Sequence, residues 1–292
     1  MYRIMELMTR IDIPKPGWKM KTGATVLLVG SCFAEEVGRK MRRGGFDVMV
    51  NPFGTLYNPA SIAVCLDSAL SATGDFSVDE NSELLFQDGT GIWHSWMHHS
   101  RFSSLSKRDL VERINRTNSE LSDCLHEADV LIITLGTSII YRLKATGMLV
   151  ANCHKMVDSM FVRERMNVSD ITEQWTALLQ RLAAVNPRLK VLFTVSPIRH
   201  KRDGFHVNQI SKGILLQAVD ELAVDYFPSY EIMMDELRDY RFYADDMIHP
   251  SELAVEHIWQ RFQDTYFDNK TKDAVAKAEK EWARHQHRTL IL

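Results

Sequence analysis

The sequence predicts an α/β fold: a three-layer α/β/α sandwich around a doubly wound, parallel, five-stranded sheet in the order 2-1-3-4-5. Apolar runs at 25–29, 129–134 and 190–195 have the length of buried strands, and a helical pattern follows each run. Strands that alternate with helices form parallel sheets through right-handed crossovers. This strand order places the turns after the first three strands around one crevice, where such sheets bind ligands.

The individual elements are predicted from apolar periodicity and turn residues. Residues 1–22 are expected to form an irregular lead-in, because Pro14 and Pro16 favour an extended path. Gly44 and Gly45 are expected to end the first helix. The strands are expected at 25–29, 46–50, 129–134, 190–195 and 229–233. The helices are expected at about 32–43, 60–71, 107–127, 169–185, 207–224, 251–264 and 270–288, the last one charged and rich in alanine.

Two stretches interrupt this alternation and are predicted to be insertions. Residues 72–105 contain turn residues and short strand-like runs at 83–87 and 91–94, which indicate a hairpin over the sheet. Residues 138–167 contain the strand-like segments IIYRLK and MLV. Neither a repeat nor a linker is evident, so we expect a single domain with its core at about 23–265.

Composition narrows the classes of function. The chain has 292 residues, 45% apolar and 25% charged, with a net charge of −3, so it has no basic surplus for nucleic acid or an anionic membrane. It lacks a long apolar stretch and a signal-peptide pattern, which predicts a cytoplasmic protein that does not span a membrane. The four cysteines have no CxxC spacing and are expected to be reduced thiols. The oligomeric state stays open.

The turn after the first strand, in the stretch TVLLVGSCFA, holds the first candidate for chemistry. Ser31 follows the strand directly, where a helix N-terminus offers free N–H groups and a positive dipole end. It can be a nucleophile, or it can be the N-cap of the helix, for which serine is preferred. The reciprocal capping box is missing, because Ala34 stands where glutamate is expected.

A base for this nucleophile is expected in the loop before the helix at 251–264. Asp246 and His249 are three residues apart, so the carboxylate can hold one ring nitrogen while the other faces Ser31. Asp245 is an alternative orienting carboxylate. The same residues also suit a plain helix entry, with Pro250 in the first turn.

Oxyanion donors are expected at the ends of the first three strands. The candidates are the N–H groups of Ser31 and Gly54 and a donor from the turn Gly136, Thr137 and Ser138. Either glycine on its own is also explained by ordinary turn chemistry. Their joint occurrence with Asp246 and His249 favours a nucleophilic site.

Residues 30–34 spell GSCFA, and NPFGTLYNPASI, TLGTS, NCHK and SPIRH follow along the chain. With these motifs the chain resembles the GSCFA-domain family over about 25–265. That family is similar to the SGNH (GDSL-type) hydrolases, which include esterases, lipases, carbohydrate deacetylases and acyltransferases. The resemblance implies a three-layer α/β/α fold that uses neither metal nor cofactor. It also implies roles for four residues. Ser31 matches the nucleophile of the first SGNH sequence block, and Gly54 matches the glycine of the second block. Asp246 and His249 match the DxxH motif of the last block.

The third block departs from the SGNH pattern Gly-x-Asn-Asp, in which the asparagine side chain holds the oxyanion. The corresponding residues are Gly136, Thr137, Ser138 and Ile139. The hydroxyl of Thr137 or Ser138 is then expected to donate, or the side-chain amide of Asn58 or Asn152. The candidate substrate-binding residues are Asn58, His94, Asn152 and His154.

Other chemistries are less well supported by the sequence. The histidines at 94, 98, 99 and 154 show no HExxH arrangement, so we expect no metal. A nucleotide cofactor is not expected, because GxGxxG does not follow the first strand and GxxxxGK[ST] is absent. Cys32, in the first turn of the helix, is a candidate thiol nucleophile or a small packing residue. Neighbouring side chains on a helix point about 100° apart, so Ser31 and Cys32 are not expected to face the crevice together.

Together these observations predict a serine esterase or acyl hydrolase of the SGNH type. It would cleave or transfer small O-acyl esters, including O-acetyl groups on carbohydrates, through Ser31, His249 and Asp246. Two alternatives stay open: a binding module with a degraded oxyanion hole on the same fold, and thiol chemistry at Cys32.

Overall fold

The structure is a computed structural model that describes residues 8–71 and 78–289, with side chains to residue 285. The described residues form ten strands and eight helices. In chain order these are β1 (Thr25–Gly30), α1 (Cys32–Arg43), β2 (Asp47–Val50), α2 (Pro59–Leu70), β3 (Leu85–Gln87), β4 (Trp93–Ser95), α3 (Lys107–Glu127), β5 (Val130–Leu135), β6 (Ile139–Leu143), β7 (Leu149–Val150), β8 (Phe161–Arg165), α4 (Val168–Val185), β9 (Lys190–Val195), α5 (Phe205–Glu221), β10 (Asp225–Phe227), α6 (Ser229–Glu231), α7 (Glu252–Tyr266) and α8 (Asn269–Thr289).

The central sheet has five parallel strands in the order β2-β1-β5-β9-β10, which confirms the predicted order 2-1-3-4-5. Strand β1 lies between β2 and β5, with Val26 opposite Val48 on one side and Val130 on the other. The ends of β1, β2 and β5 therefore meet at one edge of the sheet, as the strand order requires.

Alternate residues of β1 face two separate hydrophobic cores, because successive side chains of a strand point to opposite faces. Leu27 and Val29 pack with residues of α2, α3, α4 and α5. Val26 and Leu28 pack with residues of α1, α7 and α8. Helices thus cover both faces of the sheet, which confirms the three-layer α/β/α architecture.

The predicted fifth strand at 229–233 is wrong. The fifth strand is β10, which ends just before Pro228, and residues 229–236 form α6 and a π-helical turn at Ile232–Glu236. The Ser229 hydroxyl, which is fully buried, donates to the carbonyl of Val195 at 2.7 Å. This bond ties the chain to the end of β9, and the apolar run that follows is the buried face of a helical turn.

The two predicted insertions form small antiparallel sheets. In the first, β3 pairs with β4, while residues 72–77 lie outside the described residues. The second is a three-stranded sheet in the order β7-β6-β8. Strand β8 was not predicted, because four of its five residues are exposed and three of these are charged, which hides the strand pattern. The insertions contact each other where the carbonyl of Trp96 accepts from the N–H of Ala151 at 2.9 Å.

Helix α8 packs against α1 at the end opposite the GSCFA turn. Val275, which is 1% exposed, sits against Gly44, and the guanidinium of Arg43 stacks 4.0 Å from the ring of Trp282. The Thr271 hydroxyl donates to the carbonyl of Met20 at 3.2 Å. Among residues 8–71 and 78–289, no helix combines the length and apolarity needed to cross a membrane.

Candidate active site

The turn after β1 is unusually tight. Gly30 has φ 141°, and a Cβ there would lie 2.1 Å from the carbonyl oxygen of Thr134 on β5. The next residue, Ser31, is still part of this ladder, because its N–H donates to the same carbonyl at 3.0 Å. Only a glycine can bring β1 and β5 this close at the point where the chain leaves the sheet.

Ser31 occupies the N-cap position of α1, but its hydroxyl caps nothing. The residue is 1% exposed, and its Oγ has no hydrogen-bond partner among the described residues. The N-cap interpretation thus holds for the backbone and is wrong for the side chain. A buried, unpartnered hydroxyl is uncommon, because it gives up its hydrogen bonds to water without replacement.

Asp246 and His249 form a close pair in the loop before α7. The Asp246 carboxylate lies 2.5 Å from His249 Nδ1 and also accepts from the backbone N–H groups of Ile248 and His249, each at 2.9 Å. These bonds, the one from the backbone of His249 first, lower the pKa of Asp246 to about 2. The carboxylate that contacts the ring is Asp246, so the alternative partner Asp245 is not the one used in this conformation.

The other ring nitrogen of His249 contacts Cys32. Nε2 lies 3.8 Å from Cys32 Sγ, whereas Ser31 Oγ makes no hydrogen bond. The predicted pairing of His249 with Ser31 therefore stays a prediction, and the contact that the structure contains is the one with Cys32. The backbone N–H of Ser31 belongs to the sheet ladder, and Cys32 is the first residue of α1.

The thiol of Cys32 is protonated at neutral pH. Burial raises the pKa of Cys32 to about 11, and the backbone N–H groups of Cys32 and Phe33 oppose this rise. These two N–H groups open helix α1, so they have no acceptor within the helix. They are donors beside the sulfur, at the positive end of the helix dipole.

The predicted backbone oxyanion donors are already engaged inside the protein. Each has a carbonyl or hydroxyl acceptor: Ser31 donates to Thr134, Gly54 to Asn51, Gly136 and Thr137 to Tyr57, and Ser138 to Ser211. The hydroxyls of Thr137 and Ser138 also contact Ser211 Oγ, at 3.0 and 3.1 Å. These bonds join the strand ends to neighbouring loops and α5, so an oxyanion would have to compete with them, and the predicted oxyanion hole stays a prediction.

The four predicted substrate-binding residues serve mainly to hold loops together. Asn58 caps α2 by accepting from Ser61 at 2.8 Å, and the Asn152 side chain accepts from the N–H of His154 at 2.9 Å. His94 contacts Ser103 at 2.6 Å through Nδ1 and Asp88 at 3.0 Å through Nε2. His154 Nε2 lies 2.8 Å from the carbonyl of Ser95, and only its Nδ1 is buried without a partner.

A pocket of about 210 Å³ adjoins Cys32 and His249. Apolar side chains form part of its wall, and the charged residues Glu36, Arg39 and Glu252 form the rest. The apolar and proline residues in the wall are Phe33, Ile198, Pro250 and Val255. The sequence analysis missed this pocket, because its wall combines α1, the end of β9 and the start of α7, which only the fold brings together.

A buried lysine beneath the site was also missed. Lys212 on α5 is 1% exposed, and its Nζ donates to the carbonyls of Gly136 and Ser196, each at 2.7 Å. Burial lowers the pKa of Lys212 to about 7. One signal was available, since Lys212 lies four residues after the buried Asn208 and three before the buried Leu215, on the core face of α5. Within the described part of the chain, no group of three or more His, Cys, Asp or Glu side chains could hold a metal.

Comparison with solved structures finds matches at low identity and low TM-score. One is a GDSL-like lipase from Parabacteroides merdae, with 10% identity over 87% of this chain and 99% of that chain and a TM-score of 0.44. A carbohydrate esterase of family 3 from Talaromyces cellulolyticus has 12% identity over 82% and 95%, with a TM-score of 0.36. A family 2 carbohydrate esterase with a carbohydrate-binding domain, from Corynascus, has 11% identity over 92% and 68%, with a TM-score of 0.40. Likeness at this level says nothing about activity.

Comparison with curated proteins finds no match. The sequence model of the GSCFA family matches residues 25–262, which is most of the chain and includes β1, the candidate site and most of α7. The chain therefore belongs to the GSCFA family.

Proposed function

We propose that this protein is an acyl hydrolase or acyltransferase that acts on small O-acyl esters, with Cys32 as nucleophile. The observation that supports this most directly is the line of three groups, in which Asp246 holds Nδ1 of His249 at 2.5 Å and Nε2 faces Cys32 Sγ at 3.8 Å. A nucleophile, a base within reach of it and a third group that orients the base are the parts that acyl transfer needs.

In the first step, Cys32 Sγ forms a bond to the carbonyl carbon of the ester while its proton moves to His249 Nε2. The π electrons of the carbonyl move to the oxygen, giving a tetrahedral oxyanion. Collapse of this intermediate breaks the bond to the leaving alcohol, which takes the proton from His249. The products are a thioester on Cys32 and a free alcohol. Because burial keeps the pKa of Cys32 near 11, the proton must leave during attack rather than before it.

In the second step, water or another alcohol attacks the thioester carbonyl and gives its proton to His249. The sulfur leaves and regains a proton, which restores the starting thiol. Water as the attacking group gives a carboxylic acid, and an alcohol gives a new ester. The charge on Asp246, whose pKa is lowered to about 2, stabilises the imidazolium that forms in both steps.

The N–H groups of Cys32 and Phe33 are suited to the oxyanion. They open helix α1 without an intrahelical acceptor and lie near enough to the sulfur to act on the pKa of the thiol. In this role they replace the N–H groups of Ser31 and Gly54, which donate to Thr134 and Asn51.

The size of the neighbouring pocket supports a small acyl group. Its volume of about 210 Å³ is below the range of about 300–1,000 Å³ that drug-sized ligands occupy. Acetyl esters, including those on carbohydrates, belong to this class. A thiol nucleophile works best in a reducing compartment, and all four cysteines of the described chain are free, which supports a cytoplasmic location.

Ser31 is the competing nucleophile, because it precedes Cys32 in the same turn and its buried Oγ lacks a hydrogen-bond partner. The test is acylation of wild type, Cys32→Ala and Ser31→Ala by p-nitrophenyl acetate, with the acetylated peptide located by mass spectrometry. We expect a burst of p-nitrophenol and a thioester on Cys32 in wild type and in Ser31→Ala, and neither in Cys32→Ala.

Three other outcomes contradict the proposal in different ways. Acylation that survives Cys32→Ala and is lost in Ser31→Ala assigns the nucleophile to Ser31. Acylation that survives both substitutions places the reaction elsewhere on the protein. The absence of acylation in all three proteins, when iodoacetamide still alkylates Cys32, favours the binding module without catalysis.

A further inference from the structure

The segment after β9 brings an unassigned histidine to the crevice. Ile198 lines the pocket next to Cys32 and His249, and the N–H of Arg199 donates to the carbonyl of Ile248 at 3.3 Å. The segment 198–200 is therefore held directly against the loop that carries His249. His200 is the last residue of this segment.

The imidazole of His200 faces the end of β5. Its Nε2 lies 3.3 Å from the point where a Cβ on Gly136 would be, and its ring meets the Tyr57 ring edge-on at 5.6 Å between centroids. Gly136 and Tyr57 belong to the two loops in which the sequence predicts oxyanion donors. His200 thus occupies the region of the site from which an oxyanion donor is missing.

Nε2 of His200 is buried and has no hydrogen-bond partner among the described residues. The ring is not needed to anchor the loop, because the backbone N–H of His200 is held by the Asn208 side chain at 3.0 Å. Leaving a buried polar atom without a hydrogen bond destabilises the folded protein.

The protonation state suits a neutral donor. Burial lowers the pKa of His200 to about 4, with Lys212 and His249 acting in the same direction and the Gly136 carbonyl opposing them. At neutral pH the ring is therefore uncharged and carries one N–H. A neutral imidazole can donate to a developing oxyanion without giving up a proton.

Lys212 does not compete for this role. Two of its three N–H bonds point to the carbonyls of Gly136 and Ser196, at 2.7 Å each. Through these two bonds, Lys212 holds Gly136 after β5 and Ser196 after β9 in place. Ser196 begins the segment that leads to His200. After burial, the charge of Lys212 is the next largest contribution that lowers the pKa of His200.

We propose that His200 donates from Nε2 to the oxyanion formed when Cys32 attacks the ester carbonyl. This assignment rests on the proposed acyl transfer at Cys32. It makes His200 a catalytic residue that takes the place of the asparagine missing from the turn at 136–139.

The test compares two reactions of the same thiol. Acylation by p-nitrophenyl acetate passes through an oxyanion, whereas alkylation by iodoacetamide does not. We expect His200→Phe to slow the acylation burst by about 100-fold or more while the alkylation rate of Cys32 changes less than about twofold. His200→Gln, which keeps an N–H donor, is expected to recover part of the loss. The matched control is His206→Phe, at an exposed histidine near the start of α5, which is expected to change neither rate.

Each other result has a definite meaning. If acylation and alkylation slow together in His200→Phe, His200 only supports the structure and the assignment is wrong. If acylation is unchanged, His200 does not contact the oxyanion. If wild type is alkylated at Cys32 but not acylated, the proposed function fails and the His200 assignment fails with it.

Discussion

The buried histidine His98 makes the stability of the protein depend on pH in a way that can be measured. His98 is 5% exposed, its Nδ1 contacts Ser95 Oγ at 2.7 Å, and its ring packs on Phe53 and Phe102. Burial, with a smaller contribution from the nearby His154, lowers the pKa of His98 from 6.5 to about 3. The folded protein therefore keeps His98 neutral at a pH at which the unfolded chain protonates it.

The sign follows from proton binding. Between about pH 3 and pH 6.5 the unfolded state binds more protons at this residue, so stability is full above pH 6.5 and falls as the pH is lowered. A pH of about 5 lies about 1.5 units below the pKa of histidine in the unfolded chain. Protonation then stabilises the unfolded state by about 2 kcal/mol, and the folded protein loses that much stability.

The assay is urea unfolding at about pH 7.5 and about pH 5, for wild type and for His98→Phe. Phenylalanine fills the same space between Phe53 and Phe102 without titrating. The wild type is expected to lose about 2 kcal/mol more than the variant between the two pH values. The exposed control His206→Phe is expected to lose as much as wild type. If wild type and His98→Phe lose the same free energy of unfolding between the two pH values, the reasoning is refuted. This holds regardless of how much stability the substitution removes at neutral pH.

Three further predictions concern the candidate site and its supports. Asp246→Asn is expected to lower kcat for p-nitrophenyl acetate by about 100-fold or more, because an amide can hold the His249 ring in the wrong tautomer, with an unchanged melting temperature as the control. Gly54→Ala is expected to lower the free energy of unfolding by about 1–3 kcal/mol, because Gly54 has φ 90° and a Cβ would lie 2.1 Å from that of His99. Gly89→Ala, where a Cβ meets nothing within 4 Å, is the matched control, and equal effects would contradict the argument. Ser31→Ala is expected to raise the free energy of unfolding by about 1 kcal/mol, since it removes a buried hydroxyl without a partner, and a loss in urea titration would imply a bond that the structure lacks.

The sequence was a good guide wherever a local pattern determines the result. The helix predicted at about 107–127 from its regular apolar spacing is α3, Lys107–Glu127, which Ser106 caps. The parallel arrangement of the central strands follows from the alternation of strands and helices. The pairing of Asp246 with His249 follows from a three-residue spacing inside one loop.

The sequence could not determine features that depend on contacts between distant segments. One such contact is the hydrogen bond from the N–H of Ser31 to the carbonyl of Thr134, a residue about a hundred positions away. This bond keeps Ser31 in the sheet ladder, so that helix α1 begins at Cys32. Apolar residues at 232 and 233 have the composition of a strand, but Pro228 and the buried Ser229 turn the chain into helix before them. The position of His200 depends on the packing of three loops, and a basic segment such as 199–202 is ordinarily solvated.

The packing of α8 bears on where the folding unit ends. The family match stops at residue 262, yet Phe267 and Val275, which lie beyond it, are 2% and 1% exposed in the same core as Met20 and Met41. A fragment cut at the family boundary would leave the back of α1 uncovered while keeping every residue of the candidate site. Such a fragment is expected to lose activity through loosening of the helix that carries Cys32, so expression trials for this family should extend past α8 and not stop at the match.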